Sequence, residues 1–164
     1  MDHFYQLPGI GDPDDYMIEC YTTLAALSQH TSTMRLSALV NGNTYRNPAV
    51  LVKTITALDP VSGGRATLGI GDGGFQLEHD AFGIAFDTIS KRFEMLEEAI
   101  EIILPMLRGE RPTVHGKHYH VTEAINSPGT DLEDPGDDRR VRRAEDGTDG
   151  GPVRRRLEPH LPRA

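Results

Sequence analysis

Two short apolar segments, whose first residues are 31 positions apart, most constrain what this chain can fold into. Residues 34–40 (MRLSALV) have the length and apolar content of a strand buried on both faces, and residues 65–71 (RATLGIG) form a second short strand by the same criteria. A segment with helical spacing precedes each strand and another follows the second. This order predicts an α/β fold with a parallel sheet and outer helices, either an open doubly wound fold or a barrel. Periodicity alone does not choose between the two.

Turn and capping residues delimit the first two helices. An acidic turn at residues 12–15 precedes a helix predicted over residues 14–30. Asn47 is the predicted N-cap of the second helix and Pro48 its first residue. Asp59-Pro60 and the Ser-Gly-Gly that follows are expected to close that helix.

A third helix and a hairpin are predicted downstream. Residues 88–107 carry a strongly amphipathic pattern, with Pro105 expected to distort the last turn. Residues 113–121 alternate around Gly116 and predict a small hairpin.

The composition changes abruptly at Pro128. Residues 128–164 contain eight Arg, nine Asp or Glu, five Gly and five Pro, but no Ile, Phe, Tyr, Met or Lys. Such a segment cannot bury enough apolar surface to offset its ordering entropy. We therefore predict one folded domain over residues 1–127 and a disordered tail over 128–164. The arginine clusters at 139–143 and 154–156 are either nucleic-acid patches or a solvated tail, and the interspersed acids favour the tail.

Several classes of protein conflict with the remaining composition. No apolar run approaches the roughly 18–20 residues that cross a bilayer, and the first residues lack the pattern of a signal peptide, so we predict a cytoplasmic location without membrane contact. A single cysteine, Cys20, excludes a disulfide framework and a Cys-based zinc site. The net charge of −8 argues against nonspecific nucleic-acid binding.

Two segments near the predicted strands could carry chemistry. Asp2 and His3 place an acid beside an imidazole, a pairing that can donate or accept a proton, although a histidine in such a position is more often an ordinary polar residue. The Asn-Gly-Asn turn around Gly42 directly follows a predicted strand, where parallel α/β proteins bind ligands, or it is a plain turn.

A glycine-rich loop and two titratable clusters leave further alternatives. Residues 69–74 match Gly-x-Gly-x-x-Gly, but no P-loop lysine follows and no helix is predicted directly after Gly74, which excludes nucleotide-triphosphate chemistry. The loop either approaches a ligand with its backbone or is simply flexible. Glu78-His79-Asp80 is a second cluster. The third comprises His115, His118 and His120, with the last two predicted on one face of a strand; an exposed hairpin without metal is favoured over a metal site.

Eight short motifs together resemble luciferase-like flavin or deazaflavin oxidoreductases in order and spacing. They are Asp2-His3-Phe4, Leu24-Ala25-Ala26-Leu27, Arg35-Leu36, Leu39-Val40-Asn41-Gly42-Asn43, Tyr45-Arg46-Asn47-Pro48-Ala49, Leu58-Asp59, Ser62-Gly63-Gly64-Arg65 and Leu68-Gly69-Ile70-Gly71. The resemblance covers 128 of the 164 residues. Within the family, the chain is most similar to the branch that uses the deazaflavin coenzyme F-420 (F420).

The resemblance implies a partial TIM (β/α)8 barrel of the bacterial-luciferase-like type, with the flavin ring across the C-terminal mouth. His3 would be the catalytic acid or base near the site of hydride transfer. A bulge with a non-prolyl cis peptide would lie at about residues 40–42. The implied cofactor-binding residues are Asp2, Val40, Asn41, Gly42, Asp72 and Gly73.

The implied function is that of an oxidoreductase that transfers hydride to or from a small organic substrate, with F420 or, alternatively, FMN. Related sugar-phosphate dehydrogenases carry an acid two positions after Asp72, where this chain has Gly74, which argues against such a sugar as substrate. The alternative is a noncatalytic remnant or an interaction fragment that binds no coenzyme and forms homo-oligomers through exposed strand edges.

By the same resemblance, Met1 aligns inside the second barrel strand, and the similarity stops near residues 127–128. We therefore expect a truncated family member, produced by an internal start and a frameshift near codon 128. Such a partial barrel is expected to be only marginally stable.

Overall fold

The computed structural model describes residues 1–127 and the backbone of Val141–Arg143. The helices are α1 (Cys20–His30), α2 (Pro48–Ser62), α3 (Gln76–Phe82) and α4 (Ile89–Leu107). The strands are β1 (Asn41–Gly42), β2 (Leu68–Gly71), β3 (Val114–His115), β4 (His120–Val121) and β5 (Val141–Arg143).

A parallel sheet organises the described part of the chain. β1 pairs with β2 so that Asn41 lies opposite Ile70, and β2 pairs in parallel with β5, giving the order β1-β2-β5. A bridge between Leu36 and Ala66 continues the first pairing toward the N-terminal ends. Because α2 connects the parallel strands β1 and β2, the α/β class predicted from the sequence is confirmed.

The first predicted strand is much shorter than expected. Of residues 34–40, only Leu36 takes part in sheet pairing. The strand β1 lies just beyond them at Asn41–Gly42, where the sequence predicted a turn. Leu36 and Ala38 are buried, whereas Met34 and Leu39 are exposed. Burial on both faces is therefore wrong for this segment, because the buried Leu36 and Ala38 alternate with exposed residues at positions 35, 37 and 39.

The capping interactions explain where α1 begins. The Glu19 carboxylate accepts the backbone N–H of Thr22 at 2.7 Å and caps the helix, which starts at Cys20 and not at residue 14. The acidic residues before it form a separate turn in which the Asp15 N–H donates to the carbonyl of Asp12.

The predicted start of α2 is confirmed, and so is its end at Ser62-Gly63-Gly64, whereas Asp59-Pro60 does not close the helix. Asn47 caps the helix through the N–H of Ala49, with Pro48 as the first residue. The helix passes through Pro60 to Ser62 and ends at Gly63, whose φ of 70° lies in the left-handed region that favours glycine.

The two remaining helices differ in how well the sequence predicts them. α4 is capped by Thr88 and runs through Pro105 to Leu107, as predicted. α3 begins at Gln76, two residues after Gly74, where no helix was predicted.

The hydrophobic core is formed by β2 and the inward faces of α1, α2 and α4. α2 packs against both other helices. Core side chains with the least exposure are Leu51, Val52, Leu68, Ile70, Leu96, Ala99, Ile102, Ile103 and Met106. The domain boundary predicted at residue 127 stays a prediction. The predicted disordered tail lies outside the described residues except for β5, a strand that was not predicted.

The hairpin predicted over residues 113–121 is confirmed as β3 and β4. Its turn is fastened to α4, because the Glu98 carboxylate accepts the backbone N–H groups of His118 at 3.1 Å and Tyr119 at 2.5 Å. His118 therefore lies in the turn and not on a strand with His120. A Cβ atom on Gly116 would collide with the Glu98 carboxylate.

We expect Gly116→Ala to lower the free energy of unfolding by about 1–3 kcal/mol, because Glu98 would have to leave the N–H groups that it satisfies. Gly74→Ala is the matched control: its Cβ would meet nothing within 4 Å, and its free energy of unfolding should stay equal or rise slightly. Urea unfolding of both variants measures the difference. Equal stability of the two would contradict this account of the hairpin.

Candidate functional site

An open cleft of about 330 Å³ lies beside the C-terminal ends of β1 and β2. Its walls come from three chain segments: residues 1–3, residues 39–42 together with Tyr45, and residues 73–74. The carboxyl ends of parallel strands are where α/β proteins place their ligands. This cleft is therefore the candidate functional site.

Two glycines and a cis peptide shape the cleft wall. The peptide bond between Leu39 and Val40 is cis, immediately before the position at which a cis bond was expected. A Cβ atom on Gly42 would approach the Tyr45 ring to 2.6 Å, so the close contact between strand end and ring requires glycine. Gly73 has a φ of 91°, a conformation that also favours glycine.

Asp2 anchors the N-terminal segment to β1. Its Oδ2 accepts hydrogen bonds from Arg46 at 2.6 Å and from the Gly42 N–H at 3.3 Å. Arg46 also pairs with Glu19 at 2.9 Å and lies over the Tyr21 ring, 5.3 Å from its centroid. Burial raises the pKa of Asp2, while Arg46 and Gly42 oppose that shift.

A carboxylate from α3 holds His3. Glu78 Oε2 lies 2.9 Å from His3 Nδ1 and accepts the Tyr45 hydroxyl at 2.5 Å. Its other oxygen, Oε1, accepts the backbone N–H groups of Phe4 at 2.5 Å and Tyr5 at 2.8 Å. Glu78 is buried, whereas the His3 side chain is 22% exposed. One carboxylate thus joins the N-terminal segment, α3 and the loop after β1.

These contacts shift the pKa of Glu78 and the pKa of Tyr45 in opposite directions. Burial alone would raise the pKa of Glu78, but hydrogen bonds from Tyr45, His3 and two backbone N–H groups bring it below its usual value. Burial and the neighbouring Glu78 raise the pKa of Tyr45. The carboxylate is therefore held ionised beside a neutral phenol.

The structure brings most of the predicted site residues together. Those that line the cleft are Asp2, His3, Val40, Asn41, Gly42 and Gly73. Asp72 does not line it: the residue is buried and pairs with Arg92 at 3.3 Å. The Asn41 side chain donates to the Gly69 carbonyl at 2.6 Å, so this residue reaches the cleft mainly through its backbone.

Four residues that line the cleft were not predicted as site residues: Met1, Leu39, Tyr45 and Gly74. Glu78, which is buried and contacts His3, was not predicted as one either. Tyr45 belongs to one of the family motifs and Glu78 to a titratable cluster, so each carried a weak signal. The sequence analysis did not predict α3, and this helix is the element that places Glu78 beside His3.

The hairpin histidines are a second candidate site within residues 1–127. His115 and His120 face each other across the hairpin, with ring centroids 6.3 Å apart. Within this range no group of three or more His, Cys, Asp or Glu side chains is arranged to hold a metal ion. No helix in the described part of the chain is both long and apolar enough to cross a membrane.

The protein contains a parallel βαβ unit with a cleft at the ends of its strands. This arrangement defines an α/β protein of the barrel or doubly wound kind. Comparison with known proteins identifies the family. The model of the luciferase-like monooxygenase family matches residues 4–136. The chain belongs to this family.

Two curated relatives and one solved structure illustrate the similarity. The chain is 35% identical over 98 residues to 5,10-methylenetetrahydromethanopterin reductase of Methanolobus tindarius, covering 60% of this chain and 29% of that protein. It is 32% identical over 124 residues to the F420-dependent glucose-6-phosphate dehydrogenase of Kineococcus radiotolerans, covering 75% and 36%. The coenzyme F420-dependent tetrahydromethanopterin reductase of Methanopyrus kandleri matches with a TM-score of 0.62 at 23% identity, covering 70% and 36%, which shows the shared fold. The chain thus spans about a third of the length of these proteins.

We expect Arg46→Gln to lower the free energy of unfolding by about 3 kcal/mol, because it leaves the buried Asp2 carboxylate without its cation. The matched control is Arg108→Gln, which removes an exposed pair with Glu110 and should change stability little. Denaturant unfolding of both variants measures the contrast. An Arg46→Gln variant as stable as the control would contradict the anchoring role of this pair.

Proposed function

We propose that this chain forms the coenzyme-binding part of a flavin- or deazaflavin-dependent oxidoreductase that transfers hydride to or from a small organic substrate. One observation carries the proposal: a single cleft at the ends of parallel strands joins Asp2, His3, the cis peptide and the Gly73-Gly74 edge. In this proposal β1 and β2 are neighbouring strands of a partial TIM barrel, and the protein acts in the cytoplasm.

The residues of the cleft fit a flat, partly polar ring system. At Gly42, Gly73 and Gly74 the wall carries no side chain, and a Cβ atom on Gly74 would enter open space. Asp2 Oδ1 is buried without a hydrogen-bond partner among the described residues. A buried acceptor of this kind calls for a donor such as a ring N–H or hydroxyl.

F420 is the coenzyme we propose, with FMN as the alternative. The chain is similar over 75% of its length to an F420-dependent dehydrogenase, which favours F420 over FMN. When bound, such a coenzyme supplies the ring position that accepts or donates the hydride.

The protein's own residues would position the reactants and handle the proton. The Leu39–Val40 peptide and Gly42 form one side of the cleft, while the Asp2–Arg46 pair fixes the N-terminal segment against it. His3, held by Glu78 and partly open to the cleft, would exchange a proton with the substrate or the coenzyme.

Titration of the purified chain with F420 and with FMN tests the proposal, with ligand fluorescence and far-UV circular dichroism recorded together. We expect saturable binding of one coenzyme to a folded chain. Gly74→Val should weaken that binding at least tenfold, because its side chain would enter the cleft. Ala57→Val, an exposed change of similar size on α2, should leave binding unchanged.

A folded chain that binds neither coenzyme would overturn the proposal and favour the noncatalytic remnant. Equal binding by the Gly74→Val and Ala57→Val variants would show that the coenzyme lies elsewhere. Circular dichroism separates both results from a failure to fold.

A further inference from the structure

We propose that Glu78 is a positioning residue that fixes the protonation pattern of the His3 ring, so that Nδ1 carries the proton and Nε2 is the proton acceptor available to the cleft. The part that Nε2 would play in proton transfer rests on the proposed function. The ring state itself does not, because it follows from hydrogen bonds within the chain.

Four groups surround the Glu78 carboxylate within hydrogen-bond distance. Oε1 receives the N–H groups of Phe4 and Tyr5, and a backbone amide can only donate. Oε2 receives the Tyr45 hydroxyl and faces His3 Nδ1. Two oxygens of a carboxylate offer about four lone-pair positions, so all of them are used.

A carboxyl group with this surrounding is held in its ionised form. Hydrogen bonds to the charged form favour ionisation, and here they bring the pKa of Glu78 below its usual value despite burial. An ionised carboxylate accepts hydrogen bonds and donates none. The nitrogen that faces it, His3 Nδ1, must therefore be the donor.

Tyr45 does not provide an alternative donor to His3. Its hydroxyl lies 2.5 Å from Glu78 Oε2 but 3.4 Å from His3 Nδ1, and its one proton points to the nearer acceptor. The ring of Tyr45 stacks on His79 with centroids 4.8 Å apart, which keeps the hydroxyl in place. The phenol thus supports the carboxylate, and the carboxylate sets the state of the imidazole.

A neutral imidazole that carries its proton on Nδ1 has a lone pair on Nε2. Among the described residues, the structure has no hydrogen bond to His3 Nε2, and His3 lines the cleft. The group that binds there is therefore one that presents an O–H or N–H. A ligand with only a carbonyl oxygen at this position would face the lone pair and bind poorly.

Nitrogen-15 NMR of the uniformly labelled chain without coenzyme tests the proposal, because protonated and bare ring nitrogens differ in shift. Spectra at a pH of about 9, where free imidazole is neutral, report the preferred ring form, and His3→Asn identifies the His3 signals. We expect the Nδ1–H form to exceed the other at least tenfold, the ratio given by one hydrogen bond to a charged group. Predominance of the Nε2–H form would overturn the proposal.

Glu78→Gln gives the sharpest contrast. If the amide oxygen stays on the Phe4 and Tyr5 N–H groups, the amide N–H₂ faces His3 and makes Nδ1 the acceptor. The variant should therefore invert the ring form to Nε2–H. An unchanged Nδ1–H form in a folded Glu78→Gln variant would overturn the role of Glu78.

Tyr45→Phe is the control that separates the carboxylate from the phenol. It removes one donor to Glu78 but leaves the Glu78–His3 contact, so the Nδ1–H form should persist. Inversion in this variant would assign the effect to Tyr45 and contradict the proposal, a result that is decisive even where Glu78→Gln does not fold. Because no coenzyme is present, these results are independent of whether the coenzyme titration succeeds.

Discussion

The buried carboxylate of Glu78 is the constraint on which the candidate site depends. It receives donors from the backbone after His3, from the imidazole itself and from the Tyr45 hydroxyl, so segments more than 70 residues apart in the chain meet at one group. A buried charge costs several kcal/mol unless it is paired or fully hydrogen-bonded. The four hydrogen bonds therefore stabilise the ionised carboxylate and at the same time fix the position of the N-terminal segment.

Because β1 and β2 pair in parallel, they end side by side, and the N-terminal segment lines the cleft at these ends. A cis peptide lies before β1 and Gly73-Gly74 after β2. A second buried ion pair, between Asp2 and Arg46, ties the N-terminal residues to the end of β1. The two carboxylates have different roles, since Asp2 anchors the cleft and Glu78 orients the imidazole within it.

The sequence predicted the elements whose signals are local. Asn47-Pro48 at the start of α2 and the alternation around Gly116 are confirmed, because capping and hairpin patterns act over a few residues. The start of α1 was missed because Glu19, and not one of the earlier acidic residues, caps the helix. The shortness of β1 was missed because the length of a strand depends on its partner strand. Among the site residues, the family motifs pointed to Asp2 and His3, whereas Glu78 could be found only once the path of α3 was known.

We propose that the cleft beside β1 and β2 is the coenzyme site. Amide chemical-shift mapping of the nitrogen-15-labelled chain during addition of F420 tests it most directly, because glycine amides line the cleft and also lie far from it. The account predicts shifts at Gly42, Gly73 and Gly74, and none at Gly63 and Gly64, which follow α2 at a distance from the cleft. Saturable binding whose shifts fall on Gly63 and Gly64 or on the β3–β4 hairpin, with the cleft amides unmoved, would contradict it.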